Sequence, residues 1–436
     1  MADLSKSPPR RATPPRPAAP KTRFSDEQED FLASSHPRLL LSALAGCGKT
    51  TTLFEYARRR PHQRWKLLVL NRSLANLLAE RSPDNVEVST LHKMAYAAQG
   101  HLLSHKLVPG AIPLSALARL SKKQPEGFAA ALRLGLEQFC LSADPTPTEI
   151  HAPLSWRLSE QWDPHAWNVA LQELWSACLD PASDMPATHS VYLKRFCQQD
   201  HPWMGTHWML DEAQDWPTAV LDAFARCARV SIRAGDPCQR LYAFRGASLG
   251  QWYDPQREQE FRLSRSWRSS HDLAPWINAC LARLPGNWQW SGHPILSCVI
   301  DPRPAPGTVE QLRQFAPSAI LADRWETLDG IVRDLDGSSA IQWPPASSRH
   351  PLPGPQPSIL CSTIHSAKGL EFERLWLPDQ VVRSGLTPAQ SARLWYVALS
   401  RAQKAVSFPE DGLPQPVTVL EDVPLFEDDP GMDWLN

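Results

Sequence analysis

The sequence predicts an α/β fold built on parallel β-sheets. Between about 36 and 100, apolar strand-like runs alternate with helical runs, in the order RLLLSALA, TTTLFEYARRR, WKLLVL, SLANLLAER and VEVSTLH. This βαβαβ alternation is typical of parallel strands joined by crossover helices. Strand patterns return at HWMLDEAQD and VSIRAGD and continue after about 258. A chain of 436 residues is long enough for two or three domains, so we expect more than one α/β domain.

Changes in composition predict the domain boundaries. The stretch from about 101 to 188 has helical, Trp-rich runs such as WNVALQELWSACL, which predict a helical insertion in the first domain. Pro-rich and charged stretches indicate linkers and tails. The predicted division is a disordered basic Pro-rich tail at 1–23, a first α/β domain at 24–100 and 189–257, the insertion at 101–188, a second α/β domain at 258–337 and 359–408, a Pro-rich linker at 338–358, and an acidic flexible tail at 409–436.

Composition argues against several classes of protein. The chain has no apolar run of the roughly 18 residues that a membrane helix needs, and its first residues lack the apolar core of a signal peptide. We therefore expect a cytoplasmic protein with no membrane partner, nucleoid-associated if it is bacterial. The nine cysteines show no C-x-x-C spacing, which argues against a zinc or iron–sulfur site. The net charge of −1 still allows a local basic groove for nucleic acid.

A P-loop pattern predicts a nucleotide site near the start of the chain. The stretch from Ala43 to Thr50 matches G-x-x-x-x-G-K-[ST], except that Ala43 replaces the first glycine. Gly46 and Gly48 would let backbone N–H groups turn toward phosphate oxygens, and the following helix N-terminus adds a favourable dipole. Lys49 would then reach the β- and γ-phosphates of ATP, and the Thr50 hydroxyl would hold Mg²⁺.

A pair of carboxylates predicts the second part of this site. The apolar run HWML delivers Asp211 and Glu212 at the carboxyl end of a strand, where ligands collect in open α/β sheets. Asp211 suits Mg²⁺ coordination, and Glu212 suits the role of a base or water-positioning residue. Taken alone, an Asp-Glu pair is more often a helix cap or a solvated turn. Its combination with the P-loop favours the functional interpretation.

The order of these and further motifs resembles that of the UvrD-like group of superfamily 1 helicases, within it most closely the short relatives of the F-box DNA helicase. The resemblance runs from Phe24 to about Val406, through FSDEQEDFL, VLNRSLANLLAE, VSTLHKMAY, LDEAQD, AGDPCQRLYAFRGA, LSRSWRSS, STIHSAKGLEF and LWYVALSRAQ. It implies two RecA-like P-loop domains with ATP in the cleft between them. It also implies movement along single-stranded DNA from 3′ to 5′.

The resemblance assigns nucleotide-binding roles to the P-loop residues and to residues outside the P-loop. It implies that Gln28 reads the adenine edge, that Trp267 stacks on adenine, and that Gln239 senses the γ-phosphate. Arg268 and Arg401 would reach the γ-phosphate from the second domain. The implied catalytic residues are Lys49, Thr50, Asp211, Glu212, Gln239, Arg268 and Arg401. The other implied nucleotide-binding residues are Gln28, Ala45, Gly46, Cys47, Gly48, Thr51, Trp267, Gly369 and Glu371, and the implied Mg²⁺ ligands are Thr50 and Asp211.

The resemblance also implies contacts with the backbone and bases of one DNA strand. An aromatic side chain such as Phe244 would stack on bases of any sequence, contributing on the order of 1 to 3 kcal/mol per base. Taken singly, such aromatics and histidines would be ordinary core or capping residues, so their roles depend on the ordered motifs. The implied DNA-binding residues are Asn71, Arg72, Thr90, His92, Tyr242, Phe244, Arg245, Thr363 and His365, and PATHSVYLKRF adds His189 and Lys194 as further candidates.

The sequence departs from the family pattern in several places. Leu70 stands where many relatives have a base-stacking phenylalanine, and Thr51 stands where an arginine commonly follows the P-loop threonine. Gln390 and Ser391 stand where acidic residues are usual. The interval between LSRSWRSS and STIHSAKGLEF is short, so we expect the second accessory subdomain of large family members to be absent or vestigial.

Three functions are compatible with the sequence. The first is an ATP-dependent single-stranded DNA translocase and helicase. The second is an ATP-gated nucleic-acid binding or displacement module that unwinds little, which the missing subdomain suggests. The third is an RNA-directed enzyme, because no residue reads a 2′-hydroxyl unambiguously. The predicted cofactors are ATP and Mg²⁺, and the predicted partner is single-stranded or tailed duplex DNA, bound by a monomer.

Overall fold

The computed structural model describes residues 23–122, 124–199, 207–241, 253–303, 309–334, 341–342, 359–379 and 381–409. Nearly all of the predicted tails at 1–23 and 409–436, and most of the predicted linker at 338–358, lie outside this part of the chain. The implied DNA contacts Tyr242, Phe244 and Arg245 also lie outside the described residues.

The first sheet has six strands, and all of its pairings are parallel. Its strands are β1 (Arg38–Ala43), β2 (Trp65–Val69), β3 (Val86–Thr90), β4 (His207–Leu210), β5 (Ser231–Gly235) and β6 (Gln259–Leu263), arranged as β3-β2-β4-β5-β1-β6. The interior strand β1, which lies between β5 and β6, is mostly apolar and buried, which is typical of a parallel strand covered on both faces.

Side-chain caps start two of the helices that follow these strands, α3 and α4. The first helices are α1 (Asp26–Ala33), α2 (Lys49–Arg58), α3 (Arg72–Ala79) and α4 (Leu91–Ala98). Asn71 Oδ1 accepts from Leu74 N at 2.8 Å and Thr90 Oγ1 accepts from Lys93 N at 3.2 Å, so α3 and α4 begin immediately after β2 and β3. These short connections place the N-termini of α2, α3 and α4 at the carboxyl edge of the sheet.

The segment between β3 and β4 is a helical insertion. After α4 come α5 (Ala118–Ser121), α6 (Phe128–Leu141), α7 (Leu154–Arg157), α8 (Pro164–Leu179) and α9 (His189–Cys197). Its described part has no strand beyond an isolated bridge between Leu107 and Ala187. Trp167 is fully buried and packs edge-on against Phe128, and the insertion shares one hydrophobic core with β4 and with α10 (Thr218–Cys227).

Lys194, a candidate DNA contact from its motif, has a structural role instead. The residue is 2% exposed, and its Nζ donates to the carbonyls of Ser142 at 2.6 Å and Asp144 at 2.7 Å, beyond the C-terminus of α6. Carbonyls near a helix C-terminus attract a cation. Burial lowers the pKa of Lys194. The prediction that Lys194 contacts DNA is therefore wrong, whereas His189 is exposed at the start of α9.

The second half of the chain forms a small sheet and a second six-stranded sheet. β7 (Arg265–Ser270) pairs with β8 (Ser291–His293). The larger sheet contains β9 (Val299–Arg303), β10 (Ala319–Ala322), β11 (Ile341–Gln342), β12 (Ile359–Thr363), β13 (Phe372–Trp376) and β14 (Ala402–Pro409), in the parallel order β11-β12-β10-β13-β14-β9. Its helices are α11 (Ala274–Leu281), α12 (Val309–Phe315), α13 (Trp325–Asp334) and α14 (Pro388–Leu399), and α11 packs against α14.

Two details differ from the predicted domain boundaries. β6 pairs with β1, so the first sheet extends beyond residue 257, where the first domain was expected to end. β11 pairs with β12 although it lies within the predicted linker. Between β7 and β12 the described residues form the elements given above and no separate helical subdomain. The predicted α/β class with parallel sheets is confirmed. Among the described helices, none is both long and apolar enough to cross a bilayer.

Candidate nucleotide site between the two sheets

The P-loop connects the end of β1 to the start of α2. Gly46 and Gly48 have φ angles of 76° and 80°, in the left-handed region that glycine adopts at low cost. Gly48 is the N-cap of α2, so the free N–H groups of that helix N-terminus face the loop. A Cβ atom on Gly46 would lie 2.3 Å from Ser266 Oγ on β7. Gly46 is therefore required by its backbone angle and by the close approach of β7.

Two carboxylates, a lysine and a hydroxyl form a polar cluster beside the loop. Thr50 Oγ1 donates to Asp211 Oδ2 at 3.0 Å, and Lys49 Nζ lies 3.9 Å from Glu212 Oε1. Burial, and then the charge of Glu212, raise the pKa of Asp211 to about 6. Burial acts to lower the pKa of Lys49, but the nearby carboxylates outweigh it and raise that pKa overall. The hydroxyl and carboxylate oxygens are ligands of the kind that Mg²⁺ prefers.

Glu212 has an uncommon backbone conformation for a residue with a side chain. Its φ angle is 51°. Glu212 N donates to Asp211 Oδ1 at 2.9 Å, and Gln214 Nε2 donates to Glu212 Oε2 at 2.6 Å. The first bond holds the Glu212 backbone, and the second fixes the direction of its carboxylate. Conformations of this kind persist where the surroundings over-determine them, and they concentrate at functional sites.

The fully buried carboxylate of Asp236 is a contact point between the two sheets. Asp236 Oδ2 accepts from Gln239 Nε2 at 2.8 Å and from the Tyr396 hydroxyl at 2.7 Å, and Oδ1 accepts from Cys238 N at 2.9 Å. Tyr396 lies on α14, and its hydroxyl also accepts from Ala45 N at 2.8 Å. The Tyr396 hydroxyl therefore joins the P-loop to Asp236 across the interface.

Replacing Tyr396 with phenylalanine is expected to lower the free energy of unfolding by about 1 to 3 kcal/mol, because the Ala45 N–H and Asp236 both lose a buried partner. The matched control is Tyr56→Phe, which removes a single 3.0 Å bond to the Ser34 carbonyl and should cost about 1 kcal/mol or less. Urea-induced unfolding followed by circular dichroism measures both losses. Equal losses in the two variants would contradict the bridging role of Tyr396.

Two arginines approach the P-loop from the side of the second sheet. A Cβ atom on Gly46 would lie 3.0 Å from Arg268 Cβ, and Arg268 Nε lies 2.5 Å from Glu371 Oε1. Arg401 is 2% exposed, and its Nη2 donates to Gln239 Oε1 at 3.3 Å. Burial, and then the charge of Arg268, lower the pKa of Arg401 to about 10. Two guanidinium groups this close to a P-loop are suited to an anion.

Gln28 and Trp267 lie next to Gly48. A Cβ atom on Gly48 would lie 3.2 Å from Gln28 Nε2 and 3.6 Å from Trp267 Cδ1. The buried amide of Gln28 donates to Thr52 Oγ1 at 2.7 Å and accepts from Ser25 N at 3.0 Å, as part of the cap that starts α1. The structure thus brings together the two side chains that the resemblance assigned to adenine, and protein groups hold the Gln28 amide.

The remaining residues assigned to the nucleotide have different environments. Glu371 accepts from Gln403 Nε2 at 2.8 Å, in the segment between β12 and β13. Gly369, in the same segment, has a φ angle of 89° and open space around it. Thr51 is exposed on α2, and Cys47 is buried inside the P-loop.

The site also contains buried groups that the sequence patterns did not single out. Lys368 Nζ donates to the two carboxylate oxygens of Asp215, at 2.8 and 2.6 Å, and to the Gln239 carbonyl at 2.8 Å. Trp290 Nε1 donates to the Ala45 carbonyl at 3.0 Å. Asp215 lies in the motif LDEAQD, and Lys368 lies in the motif STIHSAKGLEF. Their positions in these motifs are the sequence signal that could have identified them. These contacts join the second half of the chain to the first sheet.

The implied DNA contacts in the described chain lie at the carboxyl ends of strands. Asn71 and Thr90 follow or end the neighbouring strands β2 and β3, so they share one edge of the first sheet. Thr363 ends β12, and its Oγ1 accepts from Ser366 N at 3.2 Å. The other implied contacts in this part of the chain are exposed or partly buried side chains: Arg72, His92 and His365.

Comparisons with known proteins agree with this architecture. Residues 358–408 match the UvrD-like helicase C-terminal domain. The chain is 26% identical over 280 residues to F-box DNA helicase 1 of Gallus gallus, covering 58% of this chain and 27% of that protein. It is 26% identical over 281 residues to F-box DNA helicase protein 1 of Schizosaccharomyces pombe, covering 58% of this chain and 32% of that protein. The chain thus spans about a third or less of the curated relatives it matches. A solved complex of Arterivirus nonstructural protein 10 (helicase) with DNA aligns with a TM-score of 0.35 and 12% identity, covering 88% of this chain and 62% of that chain.

Two parallel α/β sheets and a glycine-rich P-loop at the end of β1 define a P-loop protein of two α/β domains. Within that class, the chain is similar to UvrD-like helicases: residues 358–408 match their C-terminal domain, and the two relatives given above are F-box DNA helicases.

Proposed function

We propose that the chain is an ATP-dependent translocase and helicase that moves along single-stranded DNA from 3′ to 5′. The observation that carries the proposal is the position of three cations around the N-terminus of α2: Lys49 from the P-loop, and Arg268 and Arg401 from the other side of the cleft. Each cation pairs with a protein oxygen that a phosphate oxygen could replace. This donor set fits a nucleoside triphosphate bound between the sheets.

The residues of the first sheet would bind the phosphates and activate water. The loop N–H groups and Lys49 bind the β- and γ-phosphates. Thr50 and Asp211 supply oxygen ligands to Mg²⁺, which when bound would neutralise charge that develops during phosphoryl transfer. Glu212, whose carboxylate is held by Gln214, orients the attacking water and accepts its proton.

The arginines would couple hydrolysis to relative motion of the two sheets. Charge builds on the equatorial phosphate oxygens in the transition state, so Arg268 and Arg401 stabilise it only when the cleft is closed. Gln239 touches both Asp236 and Arg401, which suits it to sense the γ-phosphate. Arg268 must exchange Glu371 for phosphate, so this ion pair would break on ATP binding and re-form on release. Such a closing cycle is what a motor requires.

The carboxyl edge of the first sheet would bind one DNA strand. Asn71 and Thr90 begin helices there, and the N–H groups of helix N-termini bind phosphates. Arg72 adds positive charge, and Phe244 would stack on bases. The names of the curated relatives, both DNA helicases, support DNA as the nucleic acid.

Strand displacement on tailed duplexes tests this proposal. With ATP and Mg²⁺, the chain should unwind a duplex with a 3′ single-stranded tail and leave one with a 5′ tail intact, because the implied direction is 3′ to 5′. Lys49→Ala protein is the control for ATP dependence. Unwinding that starts only from a 5′ tail would contradict the proposed direction.

A second candidate is an ATP-gated displacement module with little unwinding activity. It is favoured by the interval between β7 and β12, whose described residues form no separate helical subdomain. This candidate predicts displacement of streptavidin from a biotinylated single strand without separation of a duplex. Robust unwinding by the chain alone would dismiss it.

A further inference from the structure

Two arginines near the nucleotide site, one buried and one partly buried, have no part in the function proposed above. Arg240 follows the short 3-10 helix Pro237–Gln239, and Arg393 lies on α14, which packs against that helix. Arg240 is 7% exposed, and Arg393 is partly exposed. The pair therefore spans the interface between the two sheets, with Arg393 on the side nearer to solvent.

Within the described part of the chain, neither guanidinium group has a hydrogen-bond acceptor. The Nε atoms of Arg240 and Arg393 are buried without a partner, and neither side chain donates a hydrogen bond or forms an ion pair with any residue that the structure describes. Arg133 and Arg303 also have buried Nε atoms without a partner. In those two residues, however, a terminal nitrogen donates to a carbonyl or a carboxylate. The complete lack of acceptors is therefore specific to the Arg240–Arg393 pair among these four arginines.

The surroundings of the pair leave its positive charge uncompensated. Burial, and then the charge of Arg393, lower the pKa of Arg240 to about 10. Asp215 acts on Arg240 more weakly, and its carboxylate is hydrogen-bonded to Lys368. Burial raises the pKa of the Cys238 thiol well above its usual range, so this neighbour of Arg393 is neutral.

The sequence of α14 accounts for the missing counter-ion. Gln390 and Ser391, which stand three and two residues before Arg393, are uncharged. Gln390 serves the capping box that starts α14, in which its Oε1 accepts from Thr387 N at 2.8 Å. An unpaired buried charge destabilises the folded state. Such a pair is therefore best explained by an anion that binds it.

We propose that Arg240 and Arg393 together bind a phosphate group of the DNA strand, an assignment that rests on the proposed function. Arg393 stands eight residues before Arg401, whose guanidinium group instead donates to Gln239 and Ser400, so we assign the Arg240–Arg393 pair to a different phosphate. Arg240 directly precedes the segment that carries the implied contacts Tyr242 and Phe244. Guanidinium groups match the geometry of phosphate oxygens. Because each half of the chain provides one arginine, a phosphate between them favours one relative position of the two sheets.

The salt dependence of DNA binding tests this assignment. The variants are Arg240→Gln, Arg393→Gln and the double variant, with Arg133→Gln as the matched control. Affinity for fluorescein-labelled oligo(dT) without nucleotide is measured by anisotropy between about 50 and 200 mM KCl, where each phosphate contact contributes about 0.7 to the slope of log K against log salt. Each single variant should reduce the slope by about 0.7, and the double variant should reduce it no further, because both arginines serve one phosphate.

The possible results separate this inference from the proposed function. Failure of the wild-type chain to bind oligo(dT) overturns both. If the wild-type chain binds oligo(dT) and the variants have the same slope of log K against log salt, only the Arg240–Arg393 site is overturned. If the variants bind a fluorescent ADP more weakly and keep the wild-type salt dependence of DNA binding, the arginine pair binds the nucleotide. That result overturns the DNA assignment.

Thermal unfolding provides an independent measurement on the same variants. Without DNA, Arg240→Gln and Arg393→Gln proteins should melt at or above the wild-type temperature, because a buried charge without a partner is removed. Saturating oligo(dT) should raise the Tm of the wild type more than that of either variant. Variants that melt lower than the wild type and gain as much from oligo(dT) would contradict the assignment.

Discussion

Replacing Lys49 with alanine is expected to lower the rate of DNA-stimulated ATP hydrolysis by on the order of 10²- to 10³-fold. Lys49 Nζ is the cation at the N-terminus of α2, and fixed charge of this kind stabilises the negative charge that develops on phosphate oxygens. Its loss also removes the charge that offsets the nearby carboxylates of Glu212, Asp236 and Asp211. Phosphate release with saturating single-stranded DNA measures the rate.

The matched control for this variant is Lys66→Ala on β2. Lys66 Nζ pairs with Glu87 at 3.3 Å on the exposed side of the strand, and a surface ion pair of this type contributes about 0 to 1 kcal/mol, so hydrolysis should stay within about twofold of the wild type. Circular dichroism establishes that the Lys49→Ala protein is folded. A folded Lys49→Ala protein that keeps more than about a tenth of the wild-type rate would contradict the role of the P-loop lysine.

Replacing Arg401 with alanine should reduce kcat by on the order of 10³- to 10⁵-fold and change nucleotide affinity much less. Arg401 is buried, and burial, followed by the charge of Arg268, lowers its pKa to about 10. The proposed function has both arginines act on one phosphate. An arginine of this kind acts mainly on the charge of the transition state. The Arg401→Lys variant keeps the positive charge but loses the planar guanidinium group that can donate to two oxygens at once. Its kcat should be intermediate.

Lys404→Ala, on β14 three residues after Arg401, is the control for Arg401. Its ammonium pairs with Glu373 at 2.7 Å on an exposed surface, so its loss should leave kcat unchanged. Arg401 also donates to the Val397 carbonyl and the Ser400 hydroxyl, so thermal unfolding is followed in parallel. A loss of nucleotide affinity as large as the loss of kcat would contradict a role confined to the transition state.

The local elements around the site could be predicted from the sequence because their signals are local. A buried apolar strand followed by glycines and Lys49-Thr50 specifies the β1–P-loop–α2 unit, and the run HWML before Asp211 specifies β4. Asn71 and Thr90 are typical N-cap residues, and they start α3 and α4. In each case the residues that determine the structure are close together in the sequence.

Other features depend on pairing and packing between distant segments. β6 has mostly exposed or half-buried side chains, and it is defined by its pairing with β1 at the edge of the sheet. The charge of Lys194 predicts a surface position, but the carbonyls beyond α6 hold it in the interior. The run LWYVALS on α14 is buried almost all round, so periodicity could not identify Tyr396 as the side chain that reaches the P-loop.

The most direct test of the central claim is the rate of ATP hydrolysis by the purified chain with no nucleic acid, with single-stranded DNA, with blunt duplex DNA and with single-stranded RNA. A site in which a P-loop lysine faces two arginines across a cleft, and which is linked to DNA contacts at the sheet edge, predicts strong stimulation by single-stranded DNA, weaker stimulation by duplex DNA, and little by RNA. A rate that is the same in all four conditions would contradict the account.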